Sequence, residues 1–161
     1  LNAGHETTTS LVANAVGMFL EHPAAHRQLI GNPDLLDTAV EEILRFESPL
    51  QIGNRQTTTD VELSGVTIPA GTYIHTSIAA ANRDPAVFDN PDTVDFARKP
   101  NRHLAFITGI HVCLGATLAR FEGRIAIGKL VERFPSLRAA GEAERMPLAR
   151  FRGWNRLVVE V

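Results

Sequence analysis

The chain holds a single cysteine, Cys113, with Gly109 before it and Gly115 after it, where a long helical pattern begins. One thiol cannot close an intramolecular disulfide, and it cannot build a multi-cysteine zinc or iron–sulfur site. An ordinary hydrophobic core in a reducing setting must therefore hold the fold. Composition permits this: of 161 residues, 44% are hydrophobic and 21% charged, which argues against wholesale disorder. The length suits about one domain. A net charge of -2 and a pI near 6.3 supply no basic field, so nucleic acid is not expected as a partner. The best apolar stretch, Leu11 to Leu20, is broken by Asn14 and Gly17 and is too short to span a bilayer. No signal-peptide pattern opens the chain. The expectation is a cytoplasmic protein that uses neither nucleic acid nor membrane.

Hydrophobic periodicity predicts a helix over Leu1 to Glu21, with Leu11, Ala15, Met18 and Phe19 on one face and His22-Pro23 ending it. The run Thr7-Thr8-Thr9-Ser10 is poor helix material, so packing must hold the helix there. Pro23 to Ile30 reads as a short helix. Pro33 to Phe46 reads as a stronger one, with Leu36, Val40, Ile43 and Leu44 as its stripe and Ser48-Pro49 closing it. From Leu50 the pattern changes to strands: Val61 to Ile68 with a turn at Ser64-Gly65, then Thr72 to Ser77 after Pro69-Ala70-Gly71. Ile78 to Asn82 suggests another short helix, Asp89 to His103 an irregular stretch, and Leu114 to Phe134 a long helix ended by Pro135. Leu148 to Phe151 and Leu157 to Val161 are expected to pair as a terminal hairpin.

Cys113 lies where the long helix starts. Helix-terminal N–H groups and the helix dipole favour a thiolate there, and such a thiolate can be a nucleophile or an axial iron ligand. His111, two residues earlier, fits a Cys-His nucleophilic pair, or a donor to an anionic group of a cofactor held by the cysteine. The plain alternatives are a small buried apolar residue and a loop histidine. Glu42 and Arg45 form a Glu-x-x-Arg on one helix face, a spacing that is also common as surface decoration. Gly4, Glu6 and Thr7 fit an ordinary capping-rich helix start.

Taken in order, these motifs carry a resemblance. Phe106-Ile107-Thr108-Gly109-Ile110-His111-Val112-Cys113-Leu114-Gly115, followed by Leu118-Ala119-Arg120, resembles the haem-binding loop of bacterial cytochromes P450. Upstream, Ala3-Gly4-His5-Glu6-Thr7-Thr8 resembles that family's oxygen-binding helix, and Glu42 to Arg45 its structural ion pair, with Arg98 as the third member. Ile107 departs from the pattern, standing where the family has glycine or another small or polar residue. A β-branched residue is ill suited to a glycine-type backbone angle.

The resemblance implies a mainly α fold with small β-sheets, the C-terminal part of the cytochrome P450 fold. Residues 1–161 would be its haem-binding portion, with the N-terminal portion absent. It implies haem b with Cys113 as the axial thiolate to iron, and Phe106, Gly109 and Gly115 shaping the loop. Arg55, His103 and His111 would bind the propionates, while Gly4, Glu6 and Thr7 would serve the oxygen site. The implied activity is a monooxygenase acting with dioxygen on a small organic substrate, with electrons from a ferredoxin and its reductase. Arg120 and Arg124 are expected to help dock that ferredoxin. The expected pocket wall comprises Ala3, Gly4, Thr7, residues 49–53 and a turn over 152–155. The other possibilities are a non-catalytic remnant binding haem or a partner through an exposed apolar face, and a cysteine nucleophile using Cys113 and His111.

Overall fold

The computed structural model describes residues 2–161, with side chains from Gly4 onward. The expectations placed on Leu1 and on the Ala3 side chain lie outside the described residues. Three helices open the chain: α1 (Asn2–Glu21), α2 (Pro23–Gly31) and α3 (Leu36–Phe46), the last preceded by a 3-10 turn at Pro33–Leu35. Four strands follow: β1 (Ile52–Gln56), β2 (Val61–Leu63), β3 (Val66–Ile68) and β4 (Tyr73–Ser77). A one-turn helix, α4 (Ile78–Ala81), leads into an irregular stretch, then comes α5 (Ala116–Arg133). The end carries β5 (Arg138–Ala139), β6 (Glu144–Arg145), β7 (Trp154–Arg156) and β8 (Val159–Glu160).

The core forms where α1, α2, α3 and α5 meet. The predicted stripe of α1 is buried in full, and Leu29, Val40, Ile43, Leu44, Phe96 and Ile127 complete it. Each large side chain so buried contributes about 1.5–3 kcal/mol. Two glycines of α5 set the helix spacing. A Cβ on Gly123 would stand 2.9 Å from Leu11 Cδ2, and one on Gly128 would stand 2.9 Å from Leu36 Cδ2. Packing thus keeps α1 helical through its Thr-Ser run, where the Thr9 hydroxyl also donates to the His5 carbonyl at 2.8 Å.

The sheets are all two-stranded and antiparallel: β1 with β4, β2 with β3, β5 with β8, and β6 with β7. The expected hairpin of Leu148–Phe151 with Leu157–Val161 does not form. Phe151 instead bridges Leu50, the Gln51 N–H donates to the Arg150 carbonyl, and the Arg152 N–H donates to the Pro49 carbonyl. The chain after Leu148 is therefore consumed by the segment that follows α3, and Val159 pairs with Ala139. The long helix begins two residues later than its pattern suggested, because Leu114 belongs to the loop before it and Gly115 is its N-cap.

A buried polar frame ties the irregular stretch to α3. Arg45 Nε and Nη2 donate to the two Glu42 carboxylate oxygens, both at 2.8 Å, and both side chains are wholly buried. Arg98 Nε joins Glu42 at 3.2 Å, as the sequence predicted. The Asp95 N–H and Asn101 complete the carboxylate's partners, and Arg45 spends its remaining donors on the carbonyls of Asn82, Pro91 and Thr93.

Candidate functional site: the cysteine loop

The loop is built from short-range hydrogen bonds anchored on the frame. The side chain of Asn82, fully buried, accepts from the Leu104 N–H at 2.7 Å and donates to Ser48 Oγ. The Ile107 N–H donates to the Leu104 carbonyl at 2.8 Å, and the Cys113 N–H donates to the Phe106 carbonyl at 2.9 Å. A single 3-10 turn, Gly109–His111, carries the chain between them, and the Cys113 carbonyl accepts from Ala116 to start α5. Gly109 has φ +74° and open space around it, which is the conformation glycine suits. Ile107 has φ +58°, so the β-branched residue does occupy a left-handed conformation. That is a genuine backbone outlier for such a side chain.

Cys113 is exposed, as are its neighbours Ile110 (97%), Val112 (56%) and Leu114 (102%). Apolar side chains standing wholly in water on both sides of a thiol make a face suited to a flat apolar partner. Gly115 leaves the space beside the sulfur clear: a Cβ there would approach only Sγ, at 3.9 Å. Thr108 and His111 are exposed at the rim.

Beneath the loop, Phe106 packs against the core and carries the Arg120 guanidinium 4.4 Å above its ring. Arg120 is held by Glu41 through Nε at 2.7 Å and Nη2 at 2.9 Å. His103 Nε2 lies 3.0 Å from the same carboxylate, and His103 Nδ1 accepts from the Ala105 N–H. Burial alone would raise the Glu41 pKa, but hydrogen bonds from His103 and Arg120 outweigh it and bring it down to about 2. The bond to Glu41 likewise raises the Arg120 pKa against its partial burial.

These contacts place several predicted residues differently from expectation. Both His103 nitrogens are committed within the protein and its side chain is 3% exposed, so it buttresses the loop instead of offering a donor outward. Arg120 and Arg124, read as docking cations, are paired with Glu41 and with Asp37 (2.9 Å). Arg55 on β1 is half-buried beside Gly53; its only hydrogen bond among the described residues is to the Asn54 carbonyl, and no carboxylate pairs with it there. Gly4 and Glu6 are exposed and Thr7 half-buried on the first turns of α1. Among the described residues no group of three or more metal-ligating side chains gathers.

Sequence reasoning missed Glu41, Asn82 and a second buried carboxylate, Glu47. Glu47 holds Arg152 (2.5 and 2.9 Å) and Arg145 (2.8 Å). Their partners lie 98 and 105 residues away in sequence, beyond any local pattern.

The sequence profile described as Cytochrome P450 matches residues 1–152. The chain belongs to the cytochrome P450 family. Its similarity extends to a biotin biosynthesis cytochrome P450 of Bacillus subtilis, 49% identical over 98% of this chain and 40% of that protein. A 20-oxo-5-O-mycaminosyltylactone 23-monooxygenase of Streptomyces fradiae is 49% identical over 86% of this chain and 33% of that one. Among solved structures, P450BioI in complex with an acyl carrier protein ligated to hexadec-9Z-enoic acid superposes with TM-score 0.94 at 50% identity, over 98% of this chain and 41% of that one. CYP109E1 from Bacillus megaterium, in complex with testosterone, superposes with TM-score 0.95 at 36% identity, over 98% and 44%. The chain thus has the C-terminal part of the cytochrome P450 fold and spans about 40% of the length of the curated relatives it matches.

Membership implies a haem iron. The residues present fit one. A metal held by four ring nitrogens needs one strong ligand from the protein, and the loop offers one exposed thiol between exposed apolar side chains.

Proposed function

We propose that this cytochrome P450 chain carries the haem-binding part of a monooxygenase that inserts one atom of dioxygen into a small organic substrate. The observation that carries the reading is the exposed Cys113 at the start of α5, on a glycine-shaped loop braced from behind by Phe106, Arg120 and Glu41. Haem b, when bound, supplies the reductive activation of dioxygen.

The remaining roles fall to the chain's own residues. Cys113 Sγ would hold the haem iron. Gly109 and Gly115 keep Cβ atoms away from its approach. Arg55, with no carboxylate partner among the described residues, and the exposed His111 hold propionate oxygens by charge-assisted hydrogen bonds. Gly4, without a side chain, would leave room for dioxygen. The exposed Glu6 carboxylate takes protons from water and passes them to the Thr7 hydroxyl. Electrons come from a ferredoxin and its reductase. Because Arg120 and Arg124 are already paired with carboxylates, they offer that partner less net charge than the sequence suggests.

The test is a carbon monoxide difference spectrum of the chain reconstituted with haem and reduced. The expected result is a strongly red-shifted Soret band that Cys113→Ser abolishes. An unshifted band would rule out thiolate ligation by this chain. No band would leave it a remnant without a stable haem site.

A further inference from the structure

The C-terminal segment makes three contacts with α1, all on one helical stripe. Ser10, Asn14 and Gly17 recur at spacings of four and three, so they share a face. Each is met by one residue of the segment Arg152–Trp154. Gly153 comes so close to Ser10 that a Cβ on it would stand 2.8 Å from Ser10 Oγ. Asn14 Nδ2, fully buried, donates to the Arg152 carbonyl at 2.9 Å and to the Glu47 carbonyl at 3.0 Å. The Trp154 indole lies flat enough on the helix that a Cβ on Gly17 would sit 2.6 Å from Cζ2 and 2.7 Å from Nε1. Its buried Nε1 has no hydrogen-bond partner, so packing alone orients the ring from the α1 side. Arg145, fixed by Glu47 and Glu21, presses on the indole from 3.6 Å. Extended one turn toward the N-terminus, the same stripe reaches Thr7.

We propose that the Arg152–Trp154 segment is a brace that positions the Thr7 end of α1, with Gly17 and Gly153 as its positioning residues. The inference rests on the reading of Thr7 as part of the oxygen site. Two glycines are needed because one contact brings main chain to helix and the other brings a rigid ring to helix. An added methyl on Gly17 must displace the rigid indole, and one on Gly153 must push aside both Ser10 Oγ and Met146 Sδ, each 2.8 Å away. Glu47 locks the brace in place, because its carboxylate holds Arg152 and Arg145 while its carbonyl holds Asn14. Residues 150–152 also run antiparallel to residues 49–51, so the brace carries a second stretch of the expected pocket wall with it.

The test is hydrogen exchange of the haem-free chain, read at the amides of residues 7–11. Alanine in a helix interior ordinarily slows exchange relative to glycine. Here Gly17→Ala displaces the indole, and exchange at residues 7–11 is expected to rise about tenfold. In a Trp154→Leu background the same substitution has no ring to displace, so it is expected to slow exchange instead. Gly153→Ala is the second variant, with a similar rise that Ser10→Ala partly reverses. The emission of Trp154, the chain's only tryptophan, reports the displacement directly. Slower exchange with Gly17→Ala in both backgrounds would overturn the proposal. So would a change confined to residues 15–19. The carbon monoxide spectrum of the unsubstituted chain tests the haem reading separately, so either reading can fail without the other.

Discussion

Two neighbouring glutamates of α3 face two different regions. Glu42 looks into the frame, where Arg45, Arg98, Asn101 and the Asp95 N–H all meet it and none of its surface reaches water. Glu41 looks toward the cysteine loop, stays 28% exposed, and supports Arg120 and His103. Behind α3, buried charge is fully matched. In front of it, apolar side chains stand in water and a β-branched residue holds a left-handed backbone angle. The difference separates what the chain does for itself from what it prepares for a partner group. A frame must be self-sufficient, whereas a binding face keeps its unsatisfied surface until something covers it.

The largest effect should come from breaking the frame. Glu42→Ala leaves Arg45 and Arg98 without their carboxylate in the interior and should cost about 3–5 kcal/mol or more, seen as loss of a cooperative melt by circular dichroism. Arg45→Lys keeps the charge but not the bidentate fork, and should not rescue folding.

Glu41 sharpens the contrast through pH. Its pKa is depressed from 4.5 to about 2, so its contribution is complete above pH 4.5 and lost as pH falls toward 2. Glu41→Gln should therefore lower stability by about 1–2 kcal/mol at pH 7, allowing for solvent screening. Its gap to the parent chain should close in acid. A gap that widens below pH 4.5 would show that the ion cluster is not the cause.

At the loop itself the sign reverses. Ile107→Gly should relieve about 1–2 kcal/mol of backbone strain and lose part of that again in apolar contact. The melting temperature should rise by about 2–4 °C. A fall would mean that the isoleucine side chain earns its place through packing. Smallest of all, Leu114→Ser on the open face should change stability by no more than about 0.5 kcal/mol. It should still reduce light scattering on heating, because it removes exposed apolar surface.

Much of this was legible in the sequence where partners are close or periodic. The α1 stripe, the α3 stripe and the Glu42–Arg45 pair are written at spacings of three and four, and the structure buries all of them except Leu36, which is half-buried. Ile107 was readable as an anomaly because backbone sterics are local, and its φ of +58° follows. The terminal hairpin does not form because Phe151 bridges Leu50, about a hundred residues back, instead of the chain end. The Glu41 contact of His103 was not legible for the same reason. Nothing in its neighbourhood indicates Glu41, which lies 62 residues away. Periodicity reports which side of an element is apolar; it does not report which distant group arrives there.

The strands carry one more consequence. Every sheet among the described residues is a two-stranded ribbon, so each of the eight strands has a partner on one side only. Open strand edges invite pairing with foreign chains. Here no strand exceeds five residues and six of the eight have three or fewer, with Arg138–Ala139, Glu144–Arg145 and Val159–Glu160 only two each. An intruding strand would gain too few hydrogen bonds to offset its own ordering entropy. The molecule guards its β edges by brevity, and leaves the helices to supply its bulk.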